Sequence, residues 1–137
     1  MNFNLLIQSV QSFNAISTKS EEDFNLMEQS ILKGMAEYGF ILDEYGDLFF
    51  EKEYVRFLLL RDDVVKAFSV ASFENQYLVP KYPVLFARYY ERNKQYKKAS
   101  YFYLLQGEFS WNKKTAAEFE KKSLEVHLLW LQQNALN

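Results

Sequence analysis

The chain has 137 residues, of which 49% are hydrophobic and 18% aromatic, and this composition excludes an intrinsically disordered protein. It has only 4 glycines and 2 prolines, which favours helices over a turn-rich sandwich or barrel, and no cysteine, which excludes disulfides and thiolate zinc sites. The net charge of −2 is unevenly spread: residues 1–80 carry 6 Lys/Arg against 13 Asp/Glu, and residues 81–137 carry 10 against 5. We expect a single all-α domain over residues 1–137, an irregular helical bundle.

The first predicted element is an amphipathic helix from about Asn4 to Phe13, because apolar residues recur there at helical spacing. The segment has neither the cationic start nor the small-residue cleavage site of a signal peptide. No apolar run approaches the roughly 20 residues that span a bilayer. We therefore expect no membrane segment and a cytoplasmic location.

A second helix is predicted to start after Thr18 or Ser20, since either can act as N-cap with Glu21 or Asp23 three residues later, in a capping box. Its apolar face runs from Phe24 to Tyr38. Gly39 follows, and we expect it to end the helix in the left-handed conformation that glycine adopts most easily.

Residues 40–50 are ambiguous, because short apolar runs cannot be assigned by periodicity. They fit a β-hairpin with Gly46 in its turn, a loop, or a helical turn. A helix is expected from Glu51, and Asp62 is a candidate N-cap for the helix after it.

In the C-terminal half, Pro80 and Pro83 bracket a linker, and Pro83 suits the first turn of a helix that runs to Arg92. A helix from about Lys94 to Leu105, ending at Gly107, comes next. A long amphipathic helix over about Thr115–Gln133 completes the chain.

The helix pair over residues 80–107 resembles a tetratricopeptide repeat, a helix–turn–helix unit of 34 residues. The motif places bulky apolar, small and aromatic residues at fixed positions, which are matched here by Phe86, Ala87, Tyr90, Tyr96, Ala99 and Tyr103. The small residues allow close approach of the two helices, and the aromatic residues fill the seam between them.

This sequence departs from the motif at four positions. Lys94 stands at the turn glycine, Gln106 at a second small residue, Pro83 at the tryptophan and Trp111 at the closing proline. The stretch from Tyr54 to Ala71 is similar only loosely, with Ala67 at the tight position, and no third copy is visible.

The resemblance implies that the first helix of the pair lines a groove that holds a polypeptide partner. By position, the partner-binding residues are Lys81, Val84, Arg88, Glu91 and Arg92. Two arginines one turn apart favour a carboxylate-bearing partner. The alternative is that both arginines are solvated, with one of them paired to Glu91 or to the acidic N-terminal half.

No catalytic, metal-binding or cofactor-binding pattern is present in the sequence. His127 is the only histidine, and its apolar neighbours favour a packing role. Asp43, Glu44 and Asp47 are the nearest to an acid–base cluster, but such closely spaced residues are typical of a solvated turn. We expect no enzyme activity, no metal and no cofactor.

The function that these observations favour is the binding of another protein, as an adaptor, a secretion-type chaperone or an immunity or inhibitor protein. An exposed aromatic stripe on the last helix would also be compatible with a homodimer. The alternative is a nucleic-acid-binding protein, because basic residues alternate with aromatic residues between Lys81 and Lys114. Its basic residues are Arg88, Arg92, Lys94, Lys97, Lys98 and Lys113.

Overall fold

A computed structural model describes residues 3–73 and 76–135, and within them it contains seven helices and one two-stranded sheet, which confirms the all-α class. The chain forms two compact units, Met1–Val70 and Ala71–Asn137, and the single domain predicted from the sequence stays a prediction. The elements are α1 (Phe3–Ala15), α2 (Glu21–Tyr38), α3 (Phe49–Leu60), α4 (Val64–Ala71), β1 (Ser72–Phe73), β2 (Gln76–Pro80), α5 (Pro83–Arg92), α6 (Tyr96–Phe109) and α7 (Lys113–Ala135).

The core of the first unit is built from apolar residues that recur every three or four positions along its helices. Leu6 of α1 and Ile31 of α2 are almost fully buried, and each such side chain contributes about 1.5–3 kcal/mol through burial. The rings of Phe13, Phe24 and Phe57 form a cluster in which the centroids lie 5.6–6.4 Å apart. Edge-to-face contacts of this kind stabilise the packing beyond the burial itself.

The ends of α2 match the sequence prediction at one terminus only. Ser20 is the N-cap, its Oγ accepts a hydrogen bond from the Asp23 amide at 3.1 Å, and the Asp23 carboxylate accepts one from the Ser20 amide at 2.8 Å. Gly39, by contrast, has φ −62° and is right-handed, so the predicted left-handed cap is wrong. Glycine suits the position because a Cβ would lie 2.5 Å from the carbonyl oxygen of Met35.

Residues 40–48 form a tight loop closed by a single bridge between Leu42 and Leu48, which is the hairpin alternative in its shortest form. Gly46 has φ +80° and lies in open space, which explains the glycine. The carboxylate of Asp43 accepts hydrogen bonds from the amides of Tyr45 and Asp47 inside the loop. Helix α3 then begins two residues earlier than expected, at Phe49.

The cap of α4 lies one residue away from its predicted position. Asp63 accepts a hydrogen bond from the Lys66 amide at 3.3 Å and is therefore the N-cap. Asp62, the predicted cap, has φ +60° and turns the chain between α3 and α4. Aspartate tolerates this left-handed conformation better than most residues.

The second unit begins with a hairpin that the sequence did not predict. Strand β1 pairs antiparallel with β2, and the Lys81 amide donates a hydrogen bond to the Ala71 carbonyl at 2.7 Å. The linker expected between Pro80 and Pro83 is thus the short connection from β2 to α5.

Helices α5, α6 and α7 pack in sequence order, and α6 and α7 are joined by two serines. The Ser100 hydroxyl donates to the Ser123 carbonyl at 2.9 Å, and the Ser123 hydroxyl donates to the Ser100 carbonyl at 2.8 Å. Gly107 lies within α6 and does not end it, contrary to prediction. A Cβ at this position would lie 3.2 Å from the carbonyl oxygen of Ala116, so glycine allows α7 to pack closely here. Helix α7 has 23 residues and is longer than predicted at both ends.

Candidate functional site

Helix α5 is buried on every side except one narrow strip. Its buried residues are Pro83, Leu85, Phe86, Ala87, Tyr89 and Tyr90. The remaining residues of the helix, together with Lys81 just before it, reach solvent in whole or in part; they are Lys81, Val84, Arg88, Glu91 and Arg92. We call these five residues the α5 strip. They are the same five that the repeat resemblance assigns to partner binding.

The one acidic residue of the α5 strip is already bound inside the second unit. The Tyr103 hydroxyl donates a hydrogen bond of 2.6 Å to one oxygen of Glu91, and Lys122 of α7 forms an ion pair of 3.2 Å with the other. Burial, reinforced by this hydrogen bond, raises the pKa of Tyr103 well above its usual value. The phenol therefore stays protonated and keeps donating to the carboxylate.

The two arginines of the strip are exposed, and neither forms a hydrogen bond or an ion pair with another residue of 3–73 or 76–135, although the charge of Arg88 acts on the nearby Tyr103 hydroxyl. The predicted alternative, a pair between an arginine and Glu91, is not formed, because Glu91 binds Tyr103 and Lys122. Arg88 and Arg92 are four residues apart, so both lie on one side of α5. With Glu91 neutralised by Lys122, the strip has an excess of positive charge.

The start of α5 depends on a residue that departs from the repeat motif. Pro83 occupies the first turn, where its missing N–H is not needed, and the next amide, that of Val84, donates a hydrogen bond of 3.0 Å to the Gln106 side chain. Gln106 is half-buried in α6 and replaces a small residue of the motif. It acts as an N-terminal cap supplied by a neighbouring helix, and sequence spacing alone gave no signal for it.

The turn between α5 and α6 has the backbone that the motif's glycine would provide. Lys94 has φ +59°, and the amide of Gln95 donates to the Tyr90 carbonyl at 2.8 Å, which closes the turn. Lysine in the left-handed region costs about 1–2 kcal/mol relative to an ordinary backbone position.

The motif positions that match the repeat lie inside the second unit. Phe86, Ala87 and Ala99 are fully buried, Tyr90 and Tyr103 nearly so, and Tyr96 is half-buried. Phe102, which the motif did not single out, stacks on Tyr90 with the ring centroids 5.6 Å apart.

Two lysines of the basic, aromatic-rich segment lie over aromatic rings of their own unit. The ammonium of Lys97 lies 5.3 Å from the Trp130 ring centroid, and that of Lys98 lies 5.3 Å from the Tyr90 ring centroid. Tyr90 is buried, so its ring has no free face to stack on a base. Trp111, in contrast, is fully exposed just before Lys113 and Lys114.

Two carboxylates of the acidic loop in the first unit share one ammonium group, which is supplied by α3. Lys52 forms ion pairs of 3.1 Å with Asp43 and 2.9 Å with Asp47. Glu44 is exposed at the loop. Burial alone would raise the pKa of Asp43, but hydrogen bonds from the Asp47 amide, the Lys52 ammonium and the Tyr45 amide outweigh it and hold this pKa below its usual value.

His127 is half-buried on α7, with its ring 5.4 Å from that of Trp130, as its predicted packing role requires. In the described part of the chain no three Asp, Glu or His side chains are grouped to hold a metal ion. Between α1 and α2 lies an open groove of about 520 Å³ with Leu6, Phe13 and Met27 in its lining.

Comparison of the chain with protein-family models, with curated protein sequences and with solved structures finds no match. None of the helices in the described ranges combines the length and the hydropathy that crossing a bilayer requires.

Proposed function

We propose that the protein is a non-enzymatic binding module whose α5 strip holds an acidic segment of a partner protein. The observation that carries the proposal is the state of the charges on the strip. Arg88 and Arg92 are exposed and unpaired within the described residues, whereas Glu91 already has two partners. A guanidinium binds a carboxylate through two parallel hydrogen bonds, so two of them one turn apart suit two spaced carboxylates.

The repeat resemblance supports the same proposal. The turn backbone at Lys94 and the buried motif residues Ala87 and Ala99 are what a tetratricopeptide-like helix pair needs. In such pairs the first helix faces the bound polypeptide, and here that helix is α5. Such a surface would serve an adaptor, a chaperone of the secretion type, or an immunity or inhibitor protein.

The proposal is tested with two labelled synthetic peptides of one length, one carrying Asp and Glu between apolar residues and the other carrying Asn and Gln at the same positions. Fluorescence anisotropy measures the binding of each. We expect the acidic peptide to bind more tightly, and Arg88→Gln with Arg92→Gln to weaken it more than tenfold, because charged hydrogen bonds contribute about 1.5–3 kcal/mol each.

The control for lost charge is Lys113→Gln with Lys114→Gln, since these two lysines are also exposed and lie in the same unit. This control should retain most of the binding. Equal losses in both double variants would show that only net charge matters, and the α5 strip would then have no special role.

Nucleic acid is the second candidate, favoured by fully exposed Trp111 next to two exposed lysines. Single-stranded RNA binding that weakens steeply with salt and is lost on Trp111→Ala would support it. The same variant should leave acidic-peptide binding unchanged if the α5 strip is the binding surface.

A further inference from the structure

A row of exposed leucines runs along the solvent side of α7. Leu124, Leu128 and Leu131 are 60%, 49% and 46% exposed, although Ser123 and Val126 of the same helix are buried. The spacing of four and then three residues puts the leucines on one stripe of about 10 Å along the helix axis. We call these three leucines the α7 seam.

The spacing of the seam is that of a coiled coil. If Leu124 is at position d of a heptad, Leu128 is at a and Leu131 at the next d, and a and d are the positions that pack against a partner helix. Lys121 takes the preceding a position and ends the apolar row, so the seam offers about one and a half heptads.

The positions beside the seam carry an excess of negative charge. Glu118 and Glu125 flank one side and Glu120 the other, and the remaining flanking residues, His127, Gln132 and Asn134, add no formal charge at pH 7. In a coiled coil these flanking positions form the interhelical ion pairs that select the partner.

From this pattern we propose that the α7 seam binds an amphipathic helix of another protein whose flanking positions carry Lys or Arg. A second copy of the chain fits less well. Parallel pairing places Glu120 against Glu125 of the second copy and brings the two Lys121 side chains together. Antiparallel pairing with the leucines matched brings the two Glu125 side chains together. A basic-flanked helix meets opposite charge at each of the three glutamates.

This proposal does not depend on the α5 strip, because it concerns another surface and a partner of opposite charge. The test uses two labelled helical peptides of 21 residues with leucine at a and d. One carries lysine at the flanking positions and the other glutamate. We expect the lysine peptide to bind the intact protein at least tenfold more tightly, as measured by anisotropy.

Two double variants locate the binding. Leu124→Ser with Leu128→Ser should weaken the lysine peptide more than tenfold. The matched control is Leu26→Ser with Leu32→Ser on α2, where the leucines are 56% and 43% exposed, and it should leave binding unchanged. Leu26 also borders the groove between α1 and α2, so loss of binding in the control would move the site to that groove and overturn the proposal.

Charge reversal gives a second measurement that does not rely on the leucines. Glu118→Lys with Glu125→Lys should reverse the preference, so that the glutamate peptide binds more tightly. An unchanged preference would overturn the proposal. Light scattering over a range of concentrations tests whether a second copy of the chain occupies the seam instead. A parent protein that is dimeric and a Leu124/Leu128 variant that is monomeric would assign the seam to a second copy and overturn the proposal. Circular dichroism of each variant verifies that it is folded.

Discussion

The hydrogen bond between Gln106 and the start of α5 leads to a prediction that opposes what the repeat motif suggests. The motif has a small residue at this position, so Gln106→Ala would be neutral or stabilising if the side chain only filled space. In the structure its side-chain oxygen instead accepts a hydrogen bond from the Val84 amide, with a nitrogen–oxygen distance of 3.0 Å. That amide is in the first turn of α5, where no intrahelical acceptor exists.

The loss of stability expected for Gln106→Ala follows from the hydrogen bond that the substitution removes. Removal of a helix N-cap costs about 0.5–2 kcal/mol, and a partly buried amide without a partner adds to that cost. The higher helix propensity of alanine offsets this loss of stability by a few tenths of a kcal/mol in α6. We expect Gln106→Ala to lower the free energy of unfolding of the second unit by about 1–2 kcal/mol.

The measurement is simple because both tryptophans, Trp111 and Trp130, belong to the second unit. Urea unfolding followed by tryptophan fluorescence therefore reports on that unit. The control is Gln106→Glu, which keeps an acceptor and adds a negative charge at a helix N-terminus, so its stability should equal or exceed that of the parent. If the alanine variant were as stable as the parent, the capping role of Gln106 would be refuted.

Three further predictions concern the backbone and pH. Lys94→Gly should stabilise the second unit by about 0.5–1 kcal/mol, because it removes the strain of a left-handed lysine, although it also makes the unfolded chain more flexible. Asp62→Gly, at φ +60°, should change urea unfolding little, because aspartate tolerates this conformation. Asp43→Asn should cost about 1 kcal/mol at pH 7. The pKa of Asp43 is lower in the folded protein than in the unfolded chain, where it is near 3.8. The ionised carboxylate therefore contributes its full share of stability above pH 3.8, and this share is lost as the pH falls through the lower pKa of the folded state. The stability difference between parent and Asp43→Asn, followed by circular dichroism, should therefore vanish in acid; a constant difference would contradict this.

Local signals explain the features of the fold that the sequence predicted well. The capping box at Ser20 involves residues three apart, and the helical stripe of α1 is visible within ten residues. The cap of α4 was misplaced by one residue because Asp62 and Asp63 are the same residue type, and only the backbone turn distinguishes them. The hairpin of β1 and β2 was missed because short apolar runs have no decisive period.

The exposure of the α5 strip was predictable from the sequence, but the pairing of its charges was not. Helical spacing and the motif placed Arg88, Glu91 and Arg92 on one strip. The partners of Glu91 lie 12 and 31 residues away, on α6 and α7, and no pattern in a single sequence connects them. The role of Gln106, which is 22 residues from Val84, was hidden for the same reason.

The paired serine hydroxyls between α6 and α7 have a consequence for how a partner could be engaged. Because Ser100 and Ser123 bond reciprocally, sliding α7 by one turn would break both contacts, so α7 has one axial setting against α6. Lys122, which pairs with Glu91 of the α5 strip, precedes Leu128 of the α7 seam by about 9 Å along the same helix. The axial setting of α7 therefore also fixes the distance between the α5 strip and the α7 seam. A single ligand with an acidic stretch joined to a basic helix by a linker of matching length would gain affinity through effective concentration, and linker length would become a measure of that spacing.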